Sequence, residues 1–187
     1  QNKMKPCVQR IYHYNYANKD NDSGFGCVYR NLQTTLYYLG CRVPSLSEMM
    51  KLVGIDETSI DLKSKWIEPV DAKHICGVVC PSKKSELVLY TTTSHATAKK
   101  KMYRTNLSQF DKKVHSYDVL QKKIKDHLEA TKGIPIVIDN GISSYAIIGY
   151  NKTDTFIIAD PHANRPIIRT FDFQTDYHPM WMLLFIS

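Results

Sequence analysis

Asp22-Ser23-Gly24-Phe25-Gly26-Cys27-Val28-Tyr29-Arg30-Asn31-Leu32-Gln33 is the stretch around which the rest of the chain is organised. Two glycines lead the backbone to a cysteine, and a helical pattern starts directly after it. Val28, Leu32, Leu36 and Leu39 recur at helical spacing, which places Cys27 at or just before the first turn of a buried helix. The partial positive charge and unpaired N–H groups of a helix N-terminus favour thiolate over thiol, lowering a cysteine pKa from ~8.5 toward roughly 3.5–7.5. Gly24 and Gly26 carry no side chain to obstruct a substrate backbone approaching the sulfur. A packed, inert cysteine fits the same pattern. A nucleophile needs a histidine and an orienting group from elsewhere in the chain.

The 187 residues fit one domain, 1–187, large enough for a sizeable core, and 43% hydrophobic with 23% charged residues is the balance of a soluble globular protein. No run of about 18 apolar residues indicates a membrane span. The chain starts at Gln1 without an initiator methionine, so targeting is not readable from it. The cysteines are Cys7, Cys27, Cys41, Cys76 and Cys80. An odd number without regular spacing points away from a disulfide framework and toward a reducing, cytoplasmic setting. Cys76 and Cys80 lie near His74, but no second ligand pair follows at zinc-site spacing, so the pair is expected in the core and neither metal nor cofactor is called for. The net charge of +7 gathers in Lys99-Lys100-Lys101, Lys112-Lys113 and Lys122-Lys123-Lys125. These runs carry no interleaved aromatics and no nucleic-acid motif, so they read as a solvated face rather than a nucleic-acid surface.

Tyr12-His13-Tyr14-Asn15-Tyr16 alternates aromatic and polar residues like a half-buried strand or extended arm. The Cys27 helix is expected to end near Gly40. Ser45-Leu46-Ser47-Glu48 is a capping-box pattern ahead of Met49, Met50, Leu52 and Val53 and predicts a second short helix. A loop over 54–64 precedes Trp66-Ile67-Glu68-Pro69, which introduces a third helix. Glu86–Tyr90 reads as a strand, and 92–114 as an exposed, lysine-rich excursion. Leu120, Ile124 and Leu128 form the apolar stripe of an amphipathic helix that stops near Gly133. The rest is β: 135–139, 144–150, 155–160, 167–173 and 180–186, separated by turn signals such as Asp139-Asn140-Gly141. Helices first and consecutive strands last is the pattern of an α+β domain, with a helix packed on a mainly antiparallel sheet.

The partners that Cys27 needs stand at the end of an apolar strand, in Phe156-Ile157-Ile158-Ala159-Asp160-Pro161-His162. Residues two apart on a strand share a face, so Asp160 and His162 emerge together, and Pro161 marks the sheet's end. An imidazole can take a thiol proton and return it to a leaving amine while a carboxylate fixes its tautomer.

The motif Asp-Ser-Gly-Phe-Gly-Cys-Val-Tyr-Arg-Asn-Leu-Gln with a downstream Asp-Pro-His resembles the ubiquitin-fold-modifier-specific proteases, which are papain-fold cysteine peptidases. Tyr12-His13-Tyr14, Lys65-Trp66-Ile67 and Gly133–Ile138 are similar to further segments of that family. The resemblance implies a single papain-like peptidase domain in which Cys27 is the nucleophile, His162 the general base and acid, and Asp160 its orienter. It puts the oxyanion-stabilising phenol on Tyr14, with Tyr16 as the alternative because one extra residue precedes Cys27. It also implies a groove for a modifier's C-terminal tail, formed by Gly26, Trp66, Asn140 and Gly141. The partners implied are a ubiquitin-like modifier and its conjugates. Glu68-Pro69 stands where the family has a glycine, Asp139-Asn140-Gly141 where it has a glycine run, and Tyr145 where it has a histidine. The autophagin proteases share Gly-Trp-Gly-Cys and Asp-Pro-His but lack the Tyr-Arg-x-Leu-Gln continuation. A catalytically inactive modifier-binding module is the reading from a different class.

Overall fold

The computed structural model describes residues 10–153 and 155–187, so Cys7 lies outside the described residues. Among the described residues, five α-helices and seven strands follow in the order α1 (Cys27–Tyr38), α2 (Leu46–Leu52), α3 (Pro69–Val79), β1 (Ser85–Thr91), α4 (His95–Lys99), β2 (Lys112–Val114), α5 (Tyr117–Ala130), β3 (Ile136–Asp139), β4 (Ser144–Tyr150), β5 (Phe156–Asp160), β6 (Ile167–Phe171) and β7 (Met180–Ile186). The strands make one sheet in the order β2-β1-β7-β3-β4-β5-β6, antiparallel throughout except for the parallel β1–β2 pair. The chain is therefore α+β, with its N-terminal helix on a mostly antiparallel sheet.

Period-2 alternation divides the sheet between two helical layers. Val137, Leu184 and Ile186 pack with Val28, Leu32 and Leu36 of α1 and Ile75 of α3. Their strand neighbours Ile136, Ile138 and Leu183 pack with Leu120, Ile124 and Leu128 of α5 on the opposite face. All seven residues of β7 are buried, because a central strand covered on both sides has no solvent face. Leu32 and Leu36 are fully buried, and truncating such a residue to alanine typically costs ~2–5 kcal/mol. α1 lies across β3 and β4, tied by Asn31 Nδ2 donating to Ser144 Oγ at 2.8 Å, which in turn donates to the Ile138 carbonyl at 2.7 Å. That contact fixes the first turn of α1 over the β3–β4 corner.

Three expectations fail, each for a physical reason. The Tyr12–Tyr16 segment forms no strand: Asn15, Ala17 and Asn18 adopt left-handed φ of 52°, 57° and 54°, ending in a short 3₁₀ turn at Tyr16–Asn18. Aromatic alternation imitated a strand, but such φ values break its period. The 92–114 excursion is not simply exposed. It contains α4, a 3₁₀ turn and β2, and buries Ala98, Met102, Thr105, Phe110 and Val114. Finally, Cys41 and Cys80 form a disulfide with a Cα–Cα distance of 6.1 Å. The loop after α1 and the C-terminus of α3 meet because the two helices pack side by side, a proximity that sequence spacing does not encode. The cytoplasmic expectation loses the support it drew from unpaired cysteines. Cys76 is buried in the core as expected. Among the described residues, no helix is long and apolar enough to cross a membrane.

Candidate active site

Asp22 organises the turn that delivers Cys27. Its carboxylate is fully buried and accepts from the Asn15 amide at 2.6 Å and from Arg30 Nε and Nη2 at 2.9 and 3.0 Å. Arg30 is 2% exposed and also donates to Gln33 Oε1, so the Asp, Arg and Gln of the motif form one buried network. Breaking a buried pair of this kind by removing one partner typically costs ~3–5 kcal/mol. Gly26 belongs to the same network. A Cβ on Gly26 would lie 1.9 Å from Asp22 Oδ2, so the side chain is excluded by the Asp22 carboxylate, not to admit a substrate backbone as expected. Gly26 is the N-cap of α1, and Cys27 is its first residue.

Cys27 opens on a cavity of about 180 Å³ that Tyr14, Trp66, Glu68, Asp139 and His162 also line. At ~30 Å³ per water in the liquid, that space suits a narrow, small-residue occupant. A larger groove of about 850 Å³ lies between the start of β1 and α5; its lining, including Glu86, Asp111 and Lys122, carries both signs of charge and, among the described residues, no cysteine. The lysines there are partly paired: Lys122 with Asp126, Lys123 with Glu86, and Lys73 with the nearby Asp111.

The Cys27 thiol is not lowered as a helix N-terminus alone would make it. Burial pushes it up to about 12, the Asp139 carboxyl adds to the rise, and the N–H groups of Val28, Ser144 and Cys27 itself only partly oppose it. Desolvation outweighs the helix dipole here.

His162 follows β5 and is held by Asp160. Its Nδ1 lies 2.6 Å from Asp160 Oδ1, and its amide donates to the same oxygen at 3.1 Å. Arg169 Nε donates to Asp160 Oδ2 at 3.2 Å. Burial acts to raise the Asp160 pKa, but the His162 side chain and amide, with Arg169, outweigh it and hold the carboxyl below its ordinary value. An imidazole whose Nδ1–H faces a carboxylate presents Nε2 as its basic atom, and Nε2 has no hydrogen-bond partner among the described residues. Tyr145 and Tyr14 each set a ring edge-on to His162 at 5.5 Å.

Tyr14 reaches the cavity because its amide donates to the Pro161 carbonyl at 2.9 Å, joining the two segments. Burial, then the neighbouring Cys27, raises its phenol well above the ordinary range. Tyr16 instead stacks on Tyr12 at 4.4 Å and does not line the cavity.

Trp66 lies opposite, its Nε1 donating to the Gly24 carbonyl at 2.6 Å. Tyr103, from the excursion, meets the Trp66 ring edge-on at 5.8 Å. Glu68 sets that contact: its buried carboxylate accepts from the Tyr103 and Arg104 amides at 3.1 and 2.6 Å and from Thr105 Oγ1 at 2.9 Å. Gly141 lines the cavity with a left-handed φ of 87°, and a Cβ there would lie 2.5 Å from the Lys101 carbonyl. Asn140 does not line it. Its Oδ1 accepts from the Ile142 and Ser143 amides and so shapes the β3–β4 corner from within.

The structure thus brings Cys27, Tyr14, Trp66, Gly141 and His162 to one cavity with Asp160 behind the imidazole, and leaves Gly26 and Asn140 in supporting positions. Glu68, Tyr103, Asp139 and Arg169 were missed by the motif reading. The acidic residues at 68 and 139, at positions where the family resemblance leads one to expect glycine, were the available signal for two of them.

The model of peptidase family C78 matches residues 1–181. The chain belongs to peptidase family C78. It is also similar to a curated rice protein named "Probable Ufm1-specific protease", at 27% identity over 172 residues, covering 81% of this chain and 22% of the relative. A zebrafish protein named "Ufm1-specific protease 2" is 25% identical over 171 residues, covering 83% of this chain and 37% of its own length. The chain thus spans well under half the length of these two C78 relatives. As a C78 chain it has the papain-like arrangement, in which a cysteine at the start of a helix faces a histidine carried by the sheet.

Proposed function

We propose that residues 1–187 form a single papain-like thiol protease domain that cleaves after the C-terminal glycine of a ubiquitin-like modifier, Ufm1 by analogy with the two named relatives. The observation that carries this reading is the 2.6 Å contact between His162 Nδ1 and Asp160, which orients an imidazole in the cavity that Cys27 opens on.

His162 Nε2 takes the Cys27 proton as the sulfur attacks the scissile carbonyl carbon. The Tyr14 hydroxyl and the Cys27 backbone N–H offer donors to the developing oxyanion, and losing one such donor typically costs ~10²–10³ in rate. The imidazolium returns the proton to the leaving amine, giving a thioester. Water then attacks that thioester with His162 again as base, releasing the modifier's carboxylate and the Cys27 thiol. Trp66 and Gly141 flank the tail, and the small cavity favours glycine next to the scissile bond.

A Ufm1 fusion joined through its C-terminal glycine tests the proposal. Wild-type protein is expected to cleave it and Cys27→Ala to leave it intact. A Cys27→Ala protein with full activity, or an inactive wild type, would overturn the reading. A competing reading, an inactive modifier-binding module, draws on the raised Cys27 thiol. A Ufm1 probe with a C-terminal electrophile separates the two, since labelling of Cys27 excludes the inactive module.

A further inference from the structure

The β3–β4 corner places in the cavity a carboxyl group that the reaction above does not use. Asp139 ends β3, is 6% exposed, and lines the same space as Cys27. Its Oδ1 accepts from the Gly141 amide at 2.7 Å, while Oδ2 meets no donor among the described residues. The other carboxyl lining the cavity, Glu68, is fully engaged by three donors of the excursion. No lysine or arginine appears among the described residues that line the cavity. Oδ2 is therefore a polar atom that nothing among the described residues answers.

We infer that Asp139 works protonated, its Oδ2–H donating a hydrogen bond to a backbone carbonyl of the substrate tail beside Cys27, which makes it a substrate-positioning residue. The inference rests on the thiol-protease reading and extends it. Two adjacent anions in a poorly solvated space are strongly disfavoured, so a Cys27 thiolate, and the oxyanion that takes over its charge as the S–C bond forms, favour a neutral neighbour. The titratable groups that share the cavity with Asp139 are Cys27 from α1, Tyr14 before it, Glu68 at the N-cap of α3, Tyr103 from the excursion and His162 after β5. Its cross-strand neighbours, Ser144 and Met182, do not titrate in the working range. Burial pushes the carboxyl up to about 8, the Glu68 charge adds to the rise, and only the Gly141 amide opposes it. A neutral carboxylic acid is a hydrogen-bond donor, and an extended tail entering a narrow cavity brings carbonyls that lack one. Ionisation above about pH 8 removes that donor and sets a negative charge beside the sulfur, so affinity declines and the thiol ionises at a higher pH than it would beside a neutral group.

Wild type, Asp139→Asn and Asp139→Ala separate the possibilities through two measurements across pH. One is iodoacetamide alkylation of Cys27 without substrate, and the other is steady-state cleavage of the Ufm1 fusion. Asn cannot ionise, retains an acceptor for Gly141 and presents an N–H where the carboxylic acid presented O–H. Asp139→Asn is expected to move the alkylation midpoint down by about one pH unit, a tenfold rate gain at fixed pH on the rising limb, and to abolish the alkaline fall in cleavage. Asp139→Ala is expected to raise KM about tenfold, with a smaller change in kcat, and Asp139→Asn to raise it less. An Asp139→Asn alkylation profile superimposed on the wild type would overturn the charge argument. An Asp139→Asn KM as high as that of Asp139→Ala would overturn the donor role. A wild type that alkylates but never cleaves would refute the protease reading itself, and the tail-positioning role with it.

Discussion

β5 and β3 run in the same direction two strands apart and both end in aspartate, yet their surroundings push the two carboxyl pKa values in opposite directions. Asp160 collects three hydrogen bonds, from the His162 ring, the His162 amide and Arg169, and stays below its ordinary pKa despite burial. Asp139 collects one, from Gly141, and is pushed up to about 8. Residue type and strand position are shared. What differs is the number of donors that each corner supplies, since hydrogen bonds to the charged form are what offset desolvation. Asp-Pro-His turns a side chain and an amide back onto its aspartate, whereas Asp-Asn-Gly gives only an amide.

Removing the charge from each side tests the contrast. Asp160→Asn should have the largest effect, because an amide no longer fixes the imidazole tautomer or stabilises the imidazolium. A fall of about 10²–10⁴ in kcat at pH 7 is expected, with little change in KM. Less than a tenfold loss in single-turnover cleavage would show that Asp160 does not orient the base.

Asp139→Asn should act on stability in the opposite sense. The folded pKa lies above the ordinary value of 3.8, so the stability contributed by protonated Asp139 is complete below about pH 4 and is lost as pH rises through 8. The asparagine variant escapes that loss and should gain about 2–4 kcal/mol on the wild type between pH 4 and pH 8, read from urea midpoints. An offset independent of pH would break the comparison.

Arg169→Met should have the smallest effect. It removes one of the donors that lower Asp160, so the acid limb of the cleavage profile moves toward higher pH. A loss of about two- to threefold at pH 5 and none at pH 8 is expected, since the guanidinium is partly exposed and its pairing screened. Equal activity ratios at both pH values would assign Arg169 to packing against Tyr145 alone.

Where the sequence was legible, one periodic signal agreed with one environment. Leu120, Ile124 and Leu128 marked α5, the Ser45 capping pattern fixed the start of α2, and the alternating apolar runs gave the C-terminal strands. Cys27, Asp160 and His162 stood out as candidates at a helix start and a strand end, and it was the family resemblance that joined them into one site. The excursion was not. Its lysines advertise solvent, while the residues that anchor it, Met102 and Thr105, are isolated and follow no period. Glu68 was read only as part of the stretch that introduces α3; it is the N-cap of that helix, and its carboxylate also reaches 35 residues along the chain to bind the Tyr103 amide. Long-range contacts of that kind, like the Cys41–Cys80 bridge, are consequences of packing and leave no local trace.

The bridge joins the far ends of α1 and α3, whose near ends bear Cys27 and Glu68 at the cavity. It closes a segment spanning 39 positions that includes α2, Trp66 and α3 in full. Closing a loop of this length restricts the denatured chain by about 4 kcal/mol in the chain-entropy description. One wall of the cavity is therefore supported from the denatured side of the equilibrium: the crosslink leaves the native contacts as they are and withholds conformations from the chain that would otherwise lose them.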